Sequence, residues 1–445
     1  MIENDAFKLL LINLFHLNPD DIANILCTTF NKMMVLVVTL ADKHQACPYC
    51  GFTAPKIKEY VTKEITHSAL TTQKCIIKYR ARRYKCSCCG KTYYEFNPFV
   101  FKSQKISILT VHNILKDLKD FNETFTSVAR RYHVSPTSVS TIFDNHVDIG
   151  RNPLPEIINF DEVYAFKSEK SKYVCVLLDF KKQIPVDVLP NRKKEYLLNY
   201  FQKIPLEERK KVKYACSDMY EVYRDVVHKV FPESKHLLDY FHLSQDFHKK
   251  MNEVRIKVMK GYKDDKASDE YYLLKKFNWL LFKNPEDEDK YGRLFDVERE
   301  RKYNSHFKSY MNYYDLRKKI LEINNDLTIC YSLKLELVDF YSKSTIDNAQ
   351  VNLEHLIRSF IDTNIEEMIK FSNNLINWKQ EIINSFTIVG TEYKVEADKG
   401  QVVVCNKKVN NAIIENRNKI IKCIKNNANG YTNWLRFRNR VMYVL

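Results

Sequence analysis

Phe7, Leu10, Leu11 and Leu14 recur at i, i+3, i+4 and i+7, the spacing of one helix face. The run Met33–Ala41 is apolar apart from Thr39 and reads as a buried strand. Residues 105–147 read as helices, and Asn152, Pro153 and Pro155 then punctuate the chain as a domain boundary. Beyond it the pattern changes to short β-branched and apolar runs at Ile157–Asp161, Tyr173–Phe180, Ile184–Leu189, Val212–Asp218 and Lys235–Phe241. A helical segment follows Arg192 and another runs to Phe231. Three strands, helix, strand, helix, strand is an α/β order. From 243 to 405 the pattern is mostly helical and without repeats, and residues 406–445 return to a compact apolar and basic composition.

A chain of 445 residues holds about three domains at roughly 100–200 residues each. Its 45% hydrophobic and 28% charged residues exclude a disordered tail protein and a coiled-coil rod. With only 8 Gly and 12 Pro, Gly-rich loops, collagen and flexible linkers are excluded as well. Lys and Arg number 71 against 55 Asp and Glu, a net charge of +16 that attracts polyanions, most often nucleic acid. The nine residues of Met33–Ala41 are too few to span a bilayer, which takes about 20 in a helix. The opening MIENDAFKLL lacks the basic region and cleavage site of a signal peptide. Five of the twelve cysteines fall in two tight groups, which points to a reducing cytoplasm and one clustered metal site rather than a disulfide framework.

Those groups are Cys47-Pro-Tyr-Cys50-Gly and Cys86-Ser-Cys-Cys89-Gly. Four thiolates from two C-x-x-C turns make the tetrahedral set that structural Zn²⁺ prefers, and the Gly after each pair lets backbone amides turn toward the sulfurs. Cys88 could replace Cys86 or Cys89, but the i, i+3 spacing favours Cys86 and Cys89. Between the groups, Lys78, Arg80 and Arg82 would share one face of a strand. That face suits DNA phosphates; the alternative is an edge strand blunted by charge.

Phe125–Phe143 has the rhythm of a helix-turn-helix. Val128, Val134, Val139 and Ile142 would form the shared core, and Ala129 is small where two helices approach. Ser135 can cap the second helix and Pro136 suits its first position. Thr137, Ser138 and Thr141, with Ser140 and Asn145, would then face DNA; the alternative is a plain helical hairpin. His133 stands where a turn glycine is common.

Asp161 ends the first strand of the α/β region and Asp218 ends the fourth. Carboxylates at adjacent strand ends can hold Mg²⁺, and a third from a neighbouring helix would complete a two-metal site.

These residues resemble the DDE transposases of the ISL3 type, bacterial insertion-sequence proteins with an N-terminal zinc-binding domain. The resemblance covers nearly the whole chain. It is carried by the cysteine pairs, the helix-turn-helix, Phe160-Asp161-Glu162, Ser217-Asp218-Met219 with Tyr223, and Asp239-Tyr240-Phe241-His242. The closing segment Ile414-Glu415-Asn416-Arg417-Asn418-Lys419, Asn429-Gly430-Tyr431 and Phe437-Arg438-Asn439-Arg440 is the most specific. Two positions depart from the usual pattern: Asn416 stands for a Gly, and Tyr240 for a basic residue.

The resemblance implies a multidomain α+β chain. Its parts would be a zinc-binding module over 1–100, a helix-turn-helix over 101–150, and an RNase H-like core over 151–242 and 406–445 interrupted by a helical insertion over 243–405. It implies a catalytic triad of Asp161, Asp218 and Glu415 holding Mg²⁺ or Mn²⁺, with structural Zn²⁺ on Cys47, Cys50, Cys86 and Cys89. Lys419 and Lys422, at i+4 and i+7 from Glu415, would lie on its helix face toward the DNA backbone. Asp239 and His242 would support the triad or anchor the insertion. Glu396, a rival for the third carboxylate, sits in the loop-like VEADKG. The implied partners are double-stranded DNA (the element's terminal inverted repeats and the target) and a second copy in a homodimer, in the bacterial cytoplasm at the nucleoid, with no membrane. The other readings are a catalytically idle DNA-binding regulator and an RNase H-like nuclease without strand transfer.

Overall fold

The computed structural model describes residues 2–43, 46–70, 72–102, 104–166, 171–395 and 402–445, with backbone alone at 2–5, 392–395 and 402–403. Glu396 lies outside the described residues. The chain divides into two compact units. One comprises Met1–Arg151, Tyr164–Lys172 and Lys419–Leu445; the other comprises Asn152–Val163 and Tyr173–Asn418.

The first unit opens with helix α1 (Ile2–Leu14) and a sheet of β1 (Ile22–Phe30), β2 (Met33–Leu40), β3 (Lys56–Thr66), β4 (Cys75–Lys85) and β5 (Thr92–Tyr94). The sheet order is β1-β2-β4-β3, with β5 on β4, and β2 runs parallel to β4. The apolar run Met33–Leu40 forms a strand of this core, with Leu36 and Val38 buried. The first helix buries a different face from the one its spacing suggests. Leu11, Ile12 and Phe15 pack into the core, while Phe7, Leu10 and Leu14 are exposed. Apolar residues at Leu9, Leu10, Leu11, Ile12 and Leu14 make the stripe ambiguous, and the sheet selects the side.

Helices α2 (Ile108–Asp117), α3 (Phe125–Arg131) and α4 (Pro136–His146) follow. Val128, Val139, Ile142 and Phe143 are buried between them, and Val134 packs at the margin. Ser135 caps α4 by accepting from the Ser138 amide at 3.0 Å, and Pro136 occupies the first turn, where a missing N–H costs nothing. His133 takes a left-handed backbone with φ 53°, which is why a glycine is common at such a turn.

The second unit holds a five-stranded sheet of β6 (Ile157–Val163), β7 (Val174–Asp179), β8 (Pro185–Leu189), β9 (Tyr214–Ser217) and β10 (Lys235–Leu238). Its order is β10-β9-β6-β7-β8; β6, β7 and β8 are antiparallel neighbours, and β9 and β10 run parallel to β6. Helices α5 (Lys194–Gln202), α6 (Leu206–Arg209) and α7 (Glu221–Val230) fill the connections. Phe160, Phe201, Tyr223 and Phe231 form the core on one face of the sheet, and Ile157, Cys216, Leu237 and Val409 form a cluster of their own.

The last strand is shorter than its apolar pattern suggests. It stops at Leu238, and α8 (Tyr240–Lys260) begins two residues later with Asp239 between them at its N-cap position. Helices α9 (Asp269–Lys276), α10 (Tyr313–Glu322), α11 (Asn325–Lys343), α12 (Ala349–Ile361), α13 (Glu366–Asn377) and α14 (Lys379–Asn384) then build a second apolar core. Two short hairpins interrupt them, β11 (Glu288–Asp289) with β12 (Gly292–Arg293) and β13 (Lys302–Asn304) with β14 (Ser309–Met311). A longer hairpin, β15 (Ile388–Val395) with β16 (Val402–Lys408), leads to α15 (Ala412–Asn427) and α16 (Trp434–Val444). The division between the units falls within α15, at Asn418 and Lys419. No helix among the described residues is long and apolar enough to cross a membrane.

Within the first unit, α16 packs against α2–α4. Arg440, 1% exposed, donates to the carbonyls of Asp120 at 2.8 Å and Glu123 at 2.9 Å. Asn439 donates to the Val147 carbonyl at 2.9 Å, and Tyr443 stacks edge-on against Phe143.

Candidate active site

The sheet register brings three aspartates level across three neighbouring strands: Asp161 does not end its strand, since β6 continues to Val163, whereas Asp218 and Asp239 directly follow β9 and β10. Asn159 pairs with Cys216, so two residues further Asp161 falls alongside Asp218. Leu238 pairs with Ser217, so one residue further Asp239 falls on the other side of Asp218. Successive strand residues alternate faces. Phe160 therefore enters the apolar core, while Asn159 and Asp161 point to the opposite face.

On that face α15 is pinned by amide side chains. Asn411, fully buried, accepts from Asn159 Nδ2 at 2.7 Å, donates its own Nδ2 to the Phe160 carbonyl at 3.3 Å, and gives its backbone N–H to Asp239 Oδ1 at 3.3 Å. Two turns along, Asn418 Nδ2 donates to Asp161 Oδ2 at 2.7 Å. Glu415 lies three residues before Asn418, on the same helix face. Its Oε1 is 3.9 Å from His242 Nε2, which is 3.8 Å from Asp239 Oδ2. Thus α15 reaches Asp161 through Asn418, and Asp239 and His242 through Glu415.

Burial governs the electrostatics. It pushes the Asp161 carboxyl up to about 7, with the neighbouring Asp218 charge adding to the effect. It pushes Asp218 up to about 6 and also raises Asp239, both with the nearby imidazole of His242 pulling the other way. Asp218 Oδ1 is buried and has no hydrogen-bond partner among the described residues. An unpaired buried carboxylate oxygen beside a second carboxylate is costly without a cation, so the donor set fits a divalent metal. Such an ion would supply charge neutralisation there. One cation of the chain already approaches: Arg192 pairs with Glu162 and lies over the rings of Tyr173 and Tyr220, 4.6 and 4.7 Å from their centres. The Arg192 charge also pulls the Asp218 carboxyl down against the effect of burial.

The cysteines gather as two matching knuckles. Sγ atoms of Cys47 and Cys89 are 3.8 Å apart and those of Cys50 and Cys86 are 3.5 Å apart. All four lie within 4.8 Å of one another, and exposed Cys88 is not among them. Gly51 and Gly90 take left-handed backbones, φ 75° and 69°, and each donates to the carbonyl of the first cysteine of its pair. The Cys89 amide donates to Cys86 Sγ and helps bring that thiol down to about 7, toward the thiolate a metal needs.

Among the residues expected to meet DNA, the strand residues are already engaged. Strand β4 is interior, paired on both sides, and so not a charge-blunted edge. Lys78 pairs with Glu64 at 2.8 Å, and Arg80 lies over the Tyr60 ring at 4.9 Å. Arg82 is held by Glu95 and by the carbonyls of Leu40 and Ala41, a structural clamp. Thr137 and Thr141 are exposed on α4, along an open groove that also takes in Lys105 and Asn145. The Ser138 hydroxyl bonds to Ser135 in the cap. Lys419 and Lys422 are exposed on α15.

A family model described as a transposase, of the ISL3-type DDE group, matches residues 158–397, more than half of the chain. The chain belongs to the ISL3-type DDE transposase family. The matched span contains Asp161, Asp218, Asp239 and His242 and stops before Glu415. The transposase is also 19% identical over 392 residues to the transposase for insertion sequence element IS1001 of Bordetella parapertussis, covering 87% of this chain and 86% of that protein.

Asn411 and Arg192 had no signal in the sequence that singled them out. Asn418 lies inside the quoted Glu415 segment, three residues on, and that helical spacing was the one available clue.

Proposed function

We propose that this transposase binds the terminal inverted repeats of its insertion sequence and cuts and joins DNA there as an Mg²⁺-dependent polynucleotidyl transferase. The observation that carries the reading is the row of aspartates level across three neighbouring strands with Glu415 delivered beside Asp239 by α15. The strand order, three antiparallel strands followed by two parallel ones, fits an RNase H-like core. Asp161, Asp218 and Glu415 would hold Mg²⁺ or Mn²⁺, which when bound stabilises the charge on attacking and leaving oxygens.

The chain's own residues supply positioning. Asn418 fixes the Asp161 carboxylate and Asn411 fixes Asp239, so the acids are oriented before DNA arrives. Arg192, immobilised by two rings and Glu162, presents a cation to the backbone of the scissile strand. Water attacks the phosphodiester at the element end and releases a 3′-OH. That hydroxyl then attacks a target phosphodiester, forming one bond as another breaks, with no covalent enzyme–DNA intermediate.

Binding falls to the first unit. Zn²⁺ on Cys47, Cys50, Cys86 and Cys89 would staple the N-terminal sheet, and α3 and α4 would act as a helix-turn-helix with Thr137 and Thr141 toward the groove. Lys78, Arg80, Lys419 and Lys422 would meet phosphates. Because two ends must be cut together, the working form is a homodimer, in the bacterial cytoplasm.

The test is a cleavage and joining assay on DNA carrying the repeats. Asp161→Asn and Asp218→Asn should each keep repeat binding and lose both nicking and joined products. Wild-type protein that binds but never nicks would favour the idle regulator. Nicking without joined products would favour a nuclease.

A further inference from the structure

We propose that Asp239, His242 and Glu415 form a second divalent-cation site, sharing Glu415 with the proposed catalytic triad and suited to a metal that accepts a nitrogen ligand. The three ligand atoms lie within 4.8 Å of one another. They come from three places: the end of β10, the first turn of α8, and the first turn of α15.

His242 Nε2 is buried and has no hydrogen-bond partner among the described residues, although it faces carboxylate oxygens 3.8 and 3.9 Å away. These separations are too long for hydrogen bonds. A buried ring nitrogen left unbonded between two acids calls for an explanation. An ion midway between atoms 3.8–3.9 Å apart sits about 1.9–2.0 Å from each, so the imidazole and either carboxylate are spaced to share a metal whose bonds to nitrogen and oxygen are about 2.0–2.2 Å.

The rest of the cluster is set up for this. Asp239 is 3% exposed, and its Oδ1 is held by the Asn411 amide, which leaves Oδ2 toward the imidazole. Asp239 and Glu415 also line an open cavity of about 620 Å³ with Tyr240, Lys408 and Asn410. Three protein ligands with an open side describe a site that keeps exchangeable positions, unlike the closed cysteine set. One imidazole with two carboxylates favours Mn²⁺, Fe²⁺ or Zn²⁺ over Mg²⁺, which prefers oxygen ligands alone.

Binding here does not depend on Asp161 and Asp218, so its failure and the failure of the proposed catalysis can be told apart. The full chain with its cysteine site filled by Zn²⁺ is titrated with Mn²⁺ alone and followed by electron paramagnetic resonance. The Asp161→Asn/Asp218→Asn double variant should still bind Mn²⁺ and show nitrogen coupling from one imidazole. His242→Ala should lose that coupling and bind at least about tenfold more weakly. His242→Gln, which keeps side-chain bulk, should lose the coupling while its circular dichroism stays native. Double-variant protein that binds no Mn²⁺, or binds it without nitrogen coupling, overturns the proposal, as does unchanged affinity in folded His242→Gln. If neither His242 variant folds, the double variant alone decides.

Discussion

Replacing Arg440 by Met tests whether the C-terminal helix is a structural part of the first unit. The guanidinium is 1% exposed and donates to two backbone carbonyls, at Asp120 and Glu123, that cover the turn between α2 and α3. Hydrogen bonds to a charged donor contribute about 1.5–3 kcal/mol each, so losing two costs about 3–6 kcal/mol. Removing the cation also relieves a desolvation cost. Burial pulls the Arg440 pKa below its usual value, which shows that the charged form is penalised there. Met fills most of the vacated space. A net destabilisation of about 2–4 kcal/mol is expected. Arg436→Ala is the control: its pair with Asp144 at 2.6 Å is partly solvated and should contribute about 0–1 kcal/mol. Hydrogen exchange on the full chain reads this locally, because a two-unit protein has no single unfolding free energy. Amides of α2–α4 should exchange about 30–1,000-fold faster in Arg440→Met and almost unchanged in Arg436→Ala. Equal protection in wild type and Arg440→Met would refute the clamp.

Two further outcomes follow from the same physics. Purified protein should carry about one zinc per chain, and Cys47→Ser should lose both the zinc and repeat binding; metal analysis that finds no zinc in protein prepared without chelator would reject the knuckles. In metal-free protein, burial keeps Asp161 protonated up to about 7 and Asp218 up to about 6, whereas in the unfolded chain both ionise near about 4. Between those values the folded state holds more protons, so this contribution to stability falls as pH rises from about 4 to 7. Buried His236, pulled down to about 3, acts in the opposite sense, so the comparison must be made against a variant. Asp161→Asn should raise the melting temperature of the second unit at pH 7.5 by about 3 °C or more, with little effect at pH 4. An unchanged or lower value at pH 7.5 would contradict the burial argument.

Local chemistry was legible in the sequence; distant partners were not. Ser135 and Pro136 announced the start of α4 because capping involves neighbours within three residues. The C-x-x-C pairs announced the cysteine cluster because each knuckle is one turn of chain. Arg82 looked like a phosphate contact because strand alternation gives a face but not what lies across it; Glu95 and two carbonyls engage it. Asn418 and Asp161 are 257 positions apart, and no periodicity joins them. The strand over Lys235–Phe241 was overextended because apolar residues continue through Phe241, while Asp239 turns the backbone into α8. Phe7, Leu10, Leu11 and Leu14 share one helix face by spacing, yet only Leu11 of the four is buried, because helix spacing alone cannot choose between two apolar stripes.

Glu415, the third carboxylate of the proposed triad, lies beyond the residues that the family model matches. The direct measurement uses purified full-length Glu415→Gln on DNA carrying the inverted repeats, with Mg²⁺, scoring binding and strand cleavage in the same samples. The expected result is repeat binding within about twofold of wild type and cleavage lower by about 10³-fold or more, roughly 4 kcal/mol of lost transition-state stabilisation. Near-normal cleavage by a folded, repeat-binding Glu415→Gln protein would contradict the account and move the third carboxylate elsewhere.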